Sequence, residues 1–184
     1  MALNGASVVL YTIGHSNRPI EAFLEMLREA GVKRLVDVRA LPRSRRWPQF
    51  NGEALARSLA TARIEYEWCG VALGGLRRPR PDSPNVALAG AFRGFADHMT
   101  TREFAAAIAA TLGEAAHTPT AIMCAEKLPS ECHRSLIADY ALTQGVEVQH
   151  LIAPGSREAG TLNPAARVVA GGVVYDGGDQ PRLL

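Results

Sequence analysis

Short blocks rich in apolar, β-branched and aromatic residues alternate along this chain with longer blocks in which apolar residues recur every three or four positions. The first kind begins with VVLYTI (8–13) and returns as RLVDVR (34–39), IEYEW (64–68), TAIMC (120–124) and VEVQHL (146–151). Runs of this length, bounded by turn formers, read as strands. The second kind begins with Ile20, Phe23, Leu24 and Leu27, opened by Pro19 and closed by Gly31. That spacing is the one-faced repeat of an amphipathic helix. Leu55 and Leu59 predict another helix, capped near Asn51. Phe92, Phe95 and Met99 predict a short one, and TTRE (100–103) offers a capping box before Phe104, Ile108 and Leu112. A last helix is expected from Ser130 to Gln144, closed by Gly145.

Alternating strands and helices, with strands apolar on both faces, predict an α/β fold. The expectation is a single three-layer domain over residues 1–184: a mostly parallel sheet of about five strands with helices on both faces. Its core spans 8–152. In the extension 153–184 the pattern fades to a loop and then to ARVVAGGVVYDG, a small β-hairpin turning at Gly171 and Gly172. GVALGGLRRPRPDSPN (70–85) is too rich in Gly, Pro and Arg for anything but a loop, and long loops usually carry function or motion.

Composition narrows this picture. No apolar run approaches the roughly 18 residues of a membrane span, and the amino terminus lacks the basic and apolar regions of a secretion signal. A soluble, cytoplasmic protein is expected, with no membrane partner. Three cysteines, Cys69, Cys124 and Cys132, make no even disulfide framework, so reduced thiols are the default. The net charge of +2 is uneven. Residues 33–80 hold eleven Lys/Arg against four Asp/Glu, leaving the remainder at −5. Eighteen of the twenty basic residues are arginine, which suits forked recognition of phosphate or carboxylate but also follows from genomic base composition.

In an open parallel sheet, ligands bind beyond the carboxyl ends of the strands, where loops and helix amino termini converge. The unusual residues of this chain fall at those ends. The first strand runs into Gly14, His15, Ser16 and Asn17; the second into Asp37 and Arg39, with Ser44 beyond; the third leads to Gly74, Gly75 and Arg77; the fourth ends at Cys124 and Glu126. In CAEKLPSECHR (124–134), His133 lies three, four and seven residues before Leu136, Ile137 and Tyr140, on the core-facing stripe of its helix. It reads equally as a pocket residue or as a buried imidazole bonded to a carbonyl. Arg134 fits an anion clamp, or else an ion pair to Asp37 or Glu126. Cys124 and Cys132 are separated by seven intervening residues with no second paired ligand set, so no metal is expected. A cysteine ending a strand opposite a helix amino terminus should have a depressed pKa, which leaves thiol catalysis open. Arg39, Arg43, Arg45 and Arg46 around Trp47 and Phe50 offer charge beside stacking surfaces, as a phosphate-plus-base site requires.

Taken together, TIGHSN (12–17), LVDVRALPRSR (35–45), PQFN (48–51), LGGLR (73–77), FRGFADHM (92–99), MCAEKLPSECHR (123–134) and VEVQHL (146–151) resemble domain-of-unknown-function family 488. The resemblance implies a single α/β domain with a site of unsettled activity. Its matching positions are His15, Ser16, Asp37, Arg39, Pro42, Ser44, Gly74, Gly75, Cys124, Glu126, Cys132, His133 and Arg134. Relatives often have asparagine before PQF and tyrosines in the FRGFADHM block. This chain has Trp47, Phe95 and His98, and these three are not carried over as catalytic groups.

The functional expectation is an enzyme or sensor for a phosphate-bearing ligand, a nucleotide or nucleic-acid end, with no cofactor. Arg39, Arg77 and Arg134 would hold the anion beside His15, Ser16 and Ser44, and Gly74 and Gly75 would let backbone approach it. Asp37, Glu126 and His133 would move protons. Two alternatives stand beside it. One is sulfur transfer or thiol redox chemistry at Cys124 or Cys132, loosely similar to rhodanese, although Arg134 comes ten positions after Cys124 and no six-residue cradle is present. The other is a nonenzymatic RNA- or DNA-binding module using the arginine-rich loops.

Overall fold

A computed structural model describes residues 7–177. The fold is α/β. Five parallel strands form the body of one sheet: β1 (Val9–Gly14), β2 (Arg34–Asp37), β3 (Glu65–Trp68), β4 (Thr120–Cys124) and β5 (Glu147–Ala153). A sixth, β6 (Ser156–Ala159), runs antiparallel on the edge of β5, giving the order β3-β2-β4-β1-β5-β6. Beta-4 thus lies between the first two strands of the chain, with Gly14 paired to Cys124 on one side and Asp37 to Met123 on the other.

Alternation along the buried strands feeds two cores. Ala121 and Met123 of β4 face Phe23, Leu27, Leu55 and Leu59, which come from α1 (Ile20–Glu29) and α2 (Gly52–Thr61). Ile122 and Cys124 face the opposite layer, with Phe95, Phe104, Ile108, Leu136 and Ile137. A one-turn α3 (Gly70–Leu73) precedes this second layer, which is built by α4 (Gly90–His98), α5 (Arg102–Ala115) and α6 (Arg134–Thr143). Each fully buried Leu, Ile or Phe contributes roughly 1.5–3 kcal/mol, so the two cores together hold the sheet that carries the strand ends.

Several boundaries differ from the sequence reading, each for a local reason. The last long helix starts at Arg134, not Ser130. Pro129–Glu131 make a 3₁₀ turn, and Cys132 is extended (φ −145°, ψ 145°), which interrupts the helix. Residues 70–73 form a helical turn where a loop is expected, because Leu73 packs fully into the core. Beta-6 is wholly exposed and polar, so it carries no apolar signal, and it pairs through its backbone. Thr101, one residue later than expected, caps α5 by accepting from the Phe104 N–H at 3.2 Å. Asn51 stands at the start of α2 but spends its side chain on the Ser44 N–H at 2.6 Å, tying down the arginine-rich loop. The hairpin β7 (Arg167–Val169) and β8 (Gly172–Val174) turns through Ala170 and Gly171, and Gly172 already belongs to the strand. Tyr175 after it donates to Asp139 of α6 at 2.7 Å. Among the described residues no helix is long and apolar enough to cross a membrane.

Candidate functional site

The ends of β1, β2 and β4 meet because β1 and β2 both hydrogen-bond past the last residues of β4. The His15 N–H donates to the Cys124 carbonyl at 3.0 Å, Ser16 N–H to Ala125 at 2.8 Å, and Val38 N–H to Met123 at 3.0 Å. Over these ends lies a cleft of about 600 Å³, within the usual range for small-molecule sites. Of the thirteen residues that the sequence singled out as catalytic or binding, it is lined by His15, Ser16, Arg39, Ser44, Gly75, Cys124, Glu126, Cys132 and His133. Asp37, Gly74, Arg77 and Arg134 do not line it. A second cleft of about 700 Å³ adjoins it through Arg43 and Ser44 and includes Pro42, but it contains none of the thiols or histidines.

Asp37 lies beneath the cleft, fully buried. Its carboxylate accepts from Arg39 Nε at 2.9 Å, Arg39 Nη2 at 2.6 Å and the Tyr66 hydroxyl at 2.9 Å. The third guanidinium nitrogen, Arg39 Nη1, reaches His15 Nε2 at 3.3 Å. Since His15 Nδ1 sits 2.9 Å from the Ser16 carbonyl, which can only accept, the proton is on Nδ1 and Nε2 accepts from Arg39. The ring stacks on Phe50 at 4.5 Å. Asp37 and His15 therefore aim Arg39 into the cleft.

Arg134 makes neither of the contacts considered from sequence. It is buried, and donates from Nη1 to the Glu126 carbonyl at 2.7 Å and from Nη2 to the Lys127 carbonyl at 2.8 Å. Its Nε has no partner, and no carboxylate among the described residues pairs with it. It holds the turn after β4 in shape and leaves a positive charge behind the site. Arg77 likewise donates to backbone, to the Gly74 and Val71 carbonyls. The two glycines make room for protein rather than for a ligand: a Cβ on Gly75 would stand 2.4 Å from His133 Nδ1, and one on Gly74 2.2 Å from the Gly70 carbonyl.

On the floor of the cleft, His133 Nδ1 lies 3.8 Å from Cys124 Sγ and 3.8 Å from Cys132 Sγ. His133 Nε2 is 2.9 Å from the Leu73 carbonyl and must donate to it, which leaves the Nδ1 lone pair facing both sulfurs in the neutral ring. Phe95 packs edge-on against the ring at 4.7 Å. The thiol with the lowered pKa is Cys132, not the strand-terminal Cys124. Burial opposes the Cys132 thiolate, but the hydrogen bond from Cys124, the adjoining His133 imidazole, which stabilises the thiolate once it has taken up a proton, and the Arg134 charge outweigh it. Cys124 is pushed up, first by its hydrogen bond to Cys132 and then by burial.

Trp47 lines the cleft, with the Arg46 guanidinium 5.4 Å from its ring centre. Arg43, Asn17, Phe92 and Glu131 also line it. Arg43 and Arg46 were visible as part of the basic stretch. Asn17 follows a recognised strand end, and Glu131 stands inside the Cys–His–Arg motif; Phe92 was marked only as a helix position and the start of the FRGFADHM block, not as a site residue.

Two buried imidazoles make the fold acid-sensitive. Burial, ahead of the Arg39 and Arg134 charges, lowers His15 to about 4. Burial and Arg134 do the same to His150, whose Nδ1 is 2.7 Å from the Thr12 hydroxyl. An unfolded histidine titrates near 6.5, so between about pH 6.5 and 4 the unfolded chain binds more protons and stability falls as acid is added. The urea midpoint should drop between pH 7 and pH 4.5, and drop less in His150→Gln. An equal decline in both proteins would exclude His150 as a contributor.

A largely parallel α/β sheet with a cleft over its carboxyl edge, walled by arginines and floored by two thiols and an imidazole, defines an α/β protein with a polar cleft at its strand ends. The family described as Domain of unknown function DUF488 matches residues 19–141, and the chain belongs to that family. Searches of curated proteins and of solved structures found no match.

Proposed function

We propose that the chain is an enzyme that binds a small phosphate-bearing ligand, a nucleotide or a nucleic-acid end, in the cleft over β1, β2 and β4. The observation that carries this reading is the make-up of one cleft: Arg39, Arg43 and Arg46 on its wall, Trp47 beside them, and a thiol–imidazole cluster on its floor. Arg43 and Arg46 are exposed and supply charge for phosphate oxygens, while Arg39 is held rigidly by Asp37 and His15. Trp47 offers a face on which a base can stack. Glu126 and Glu131 at the rim and His133 on the floor are the proton carriers within reach.

The test is thermal unfolding of the wild type and of Arg43→Ala/Arg46→Ala against nucleotides, phosphosugars, short oligonucleotides, thiosulfate and inorganic anions. Arg134 is unsuitable for this purpose because it braces the turn. Saturation at about 100 times Kd adds roughly 2.7 kcal/mol, or on the order of 5–10 °C for a domain of this size. A shift with a phosphate-bearing ligand that the double variant loses is expected; no shift with any of them would refute the reading.

A second reading has one observation in its favour, the placement of Cys132 Sγ 3.8 Å from His133 Nδ1 and 3.5 Å from the Arg134 N–H, surroundings that lower the thiol pKa. It makes Cys132 a nucleophile in sulfur transfer or thiol exchange. Rapid alkylation of Cys132 below neutral pH, read by peptide mass spectrometry, is its expected mark. Labelling no faster than that of Cys69 would remove it.

A further inference from the structure

We infer that Cys124, Cys132 and His133 form a binding site for one thiophilic divalent cation, zinc by its chemistry, whose fourth coordination position opens into the cleft. The three ligand atoms lie within 4.8 Å of one another, and the two sulfur-to-nitrogen separations are both 3.8 Å. A tetrahedral ion about 2.3 Å from sulfur and about 2.0–2.1 Å from imidazole nitrogen holds its ligand atoms roughly 3.5–3.8 Å apart. The two sulfur-to-nitrogen separations already lie near that geometry, and the sulfurs, within 4.8 Å of each other, need draw together by no more than about 1 Å.

Spacing along the chain argues against a metal because only adjacent Cys132 and His133 share one segment. The fold supplies what the spacing lacks. Cys124 arrives at the end of β4, and the extended Cys132 turns its sulfur back toward it before α6 begins.

The surroundings are those of a ligand set. His133 donates Nε2–H to the Leu73 carbonyl, the outer hydrogen bond that orients a metal-binding imidazole and leaves Nδ1 free to coordinate. The Cys132 sulfur also receives the backbone N–H of Arg134 at 3.5 Å. Such bonds favour the thiolate. Two thiolates and a neutral imidazole balance a divalent cation, and the thiol protons that binding displaces leave to solvent. Gly75 contributes by absence: any Cβ there would stand 2.4 Å from the coordinating nitrogen.

All three residues line the cleft, so the open fourth position faces the place where a ligand would sit. Three protein ligands and an open position are the arrangement of catalytic rather than structural zinc. This inference deepens the anion-pocket reading and rests on it for the identity of the bound ligand, but not for the metal itself; with the ion bound, His133 is a ligand and Glu126 and Glu131 are left as the proton carriers.

The test is titration of the reduced, chelator-stripped full chain with Co²⁺. One equivalent should produce thiolate-to-cobalt charge transfer and the intense visible bands of tetrahedral cobalt, and one equivalent of Zn²⁺ should abolish them. Cys124→Ser and Cys132→Ser should each lose the spectrum while keeping the far-ultraviolet circular dichroism of the wild type. Should a serine variant fail to fold, wild-type protein alkylated in the presence and absence of Zn²⁺ provides the readout, with protection of both cysteines expected. A weak octahedral spectrum, or zinc that protects neither thiol, overturns the site. Repeating the anion thermal shifts with and without Zn²⁺ separates the two readings. An arginine-dependent shift without a cobalt spectrum leaves the pocket and removes the metal, and a cobalt spectrum without any anion shift does the reverse.

Discussion

Asp37→Asn is expected to destabilise the protein by about 3–5 kcal/mol, the cost of leaving one member of a buried ion pair without its partner. Arg39 is 5% exposed and Asp37 is fully buried, so water cannot replace the lost charge. The carboxylate takes two of the three Arg39 guanidinium nitrogens, the Arg39 backbone N–H and the Tyr66 hydroxyl. An amide offers one oxygen and turns two N–H groups toward donors. For a chain of this length the loss corresponds to a fall in Tm of roughly 10 °C. Adding Arg39→Met should recover part of the loss, because it removes the orphaned charge along with its partner. Urea unfolding of the two single variants and the double variant measures the coupling. A loss under about 1 kcal/mol in Asp37→Asn would mean that Arg39 is not held by Asp37 in solution.

Gly14→Ala is the second large effect. A Cβ at Gly14 would stand 1.7 Å from the Glu126 carbonyl oxygen and 2.6 Å from its carbon. Both are backbone atoms, and that same oxygen accepts from Arg134. The end of β1 must therefore move away from the turn after β4, straining the His15 and Ser16 amide bonds that join them. A loss of about 3 kcal/mol or more is expected, with alkylation of Cys124 and Cys132 accelerated because the floor of the cleft opens. Gly113→Ala is the control. It lies within α5 with nothing within 4 Å of its added Cβ, and should stabilise by about 0.5–1 kcal/mol. Equal effects at the two positions would show that Gly14 is not constrained by the contact.

The central strand β4 was legible because it is buried along its whole length, and burial leaves a continuous apolar trace; β3, exposed or half-buried throughout, showed itself by Ile64, Tyr66 and Trp68 alternating with glutamates. The gathering of residues at the carboxyl edge was legible too, since a parallel sheet brings all its strand ends to one side. Sheet order was not legible: nothing in RLVDVR or VVLYTI says that TAIMC will pass between them. The roles of the arginines were hidden for a related reason. An arginine that clamps a ligand and one that clamps two carbonyls have the same neighbours in sequence, and only the path of the turn assigns Arg134 to the second. Likewise Cys124 was the better thiolate candidate by position. The extended conformation of Cys132, which a Pro-initiated turn disguises as the first turn of a helix, places that sulfur against His133 instead.

The insertion of β4 between β1 and β2 also constrains how the molecule assembles. The two strands made first cannot pair with each other in the native sheet. They wait for a segment that begins at Thr120, across a loop closure of about a hundred residues for β1. A nascent chain that has emerged only through α5 therefore presents the apolar edges of β1 and β2 with the space between them unfilled. During that interval premature pairing of those edges competes with native assembly, as in other sheets of high contact order. Since the cleft floor arrives on the segment that closes the gap, ligand or metal can protect the finished molecule but cannot guide the first two strands to their places.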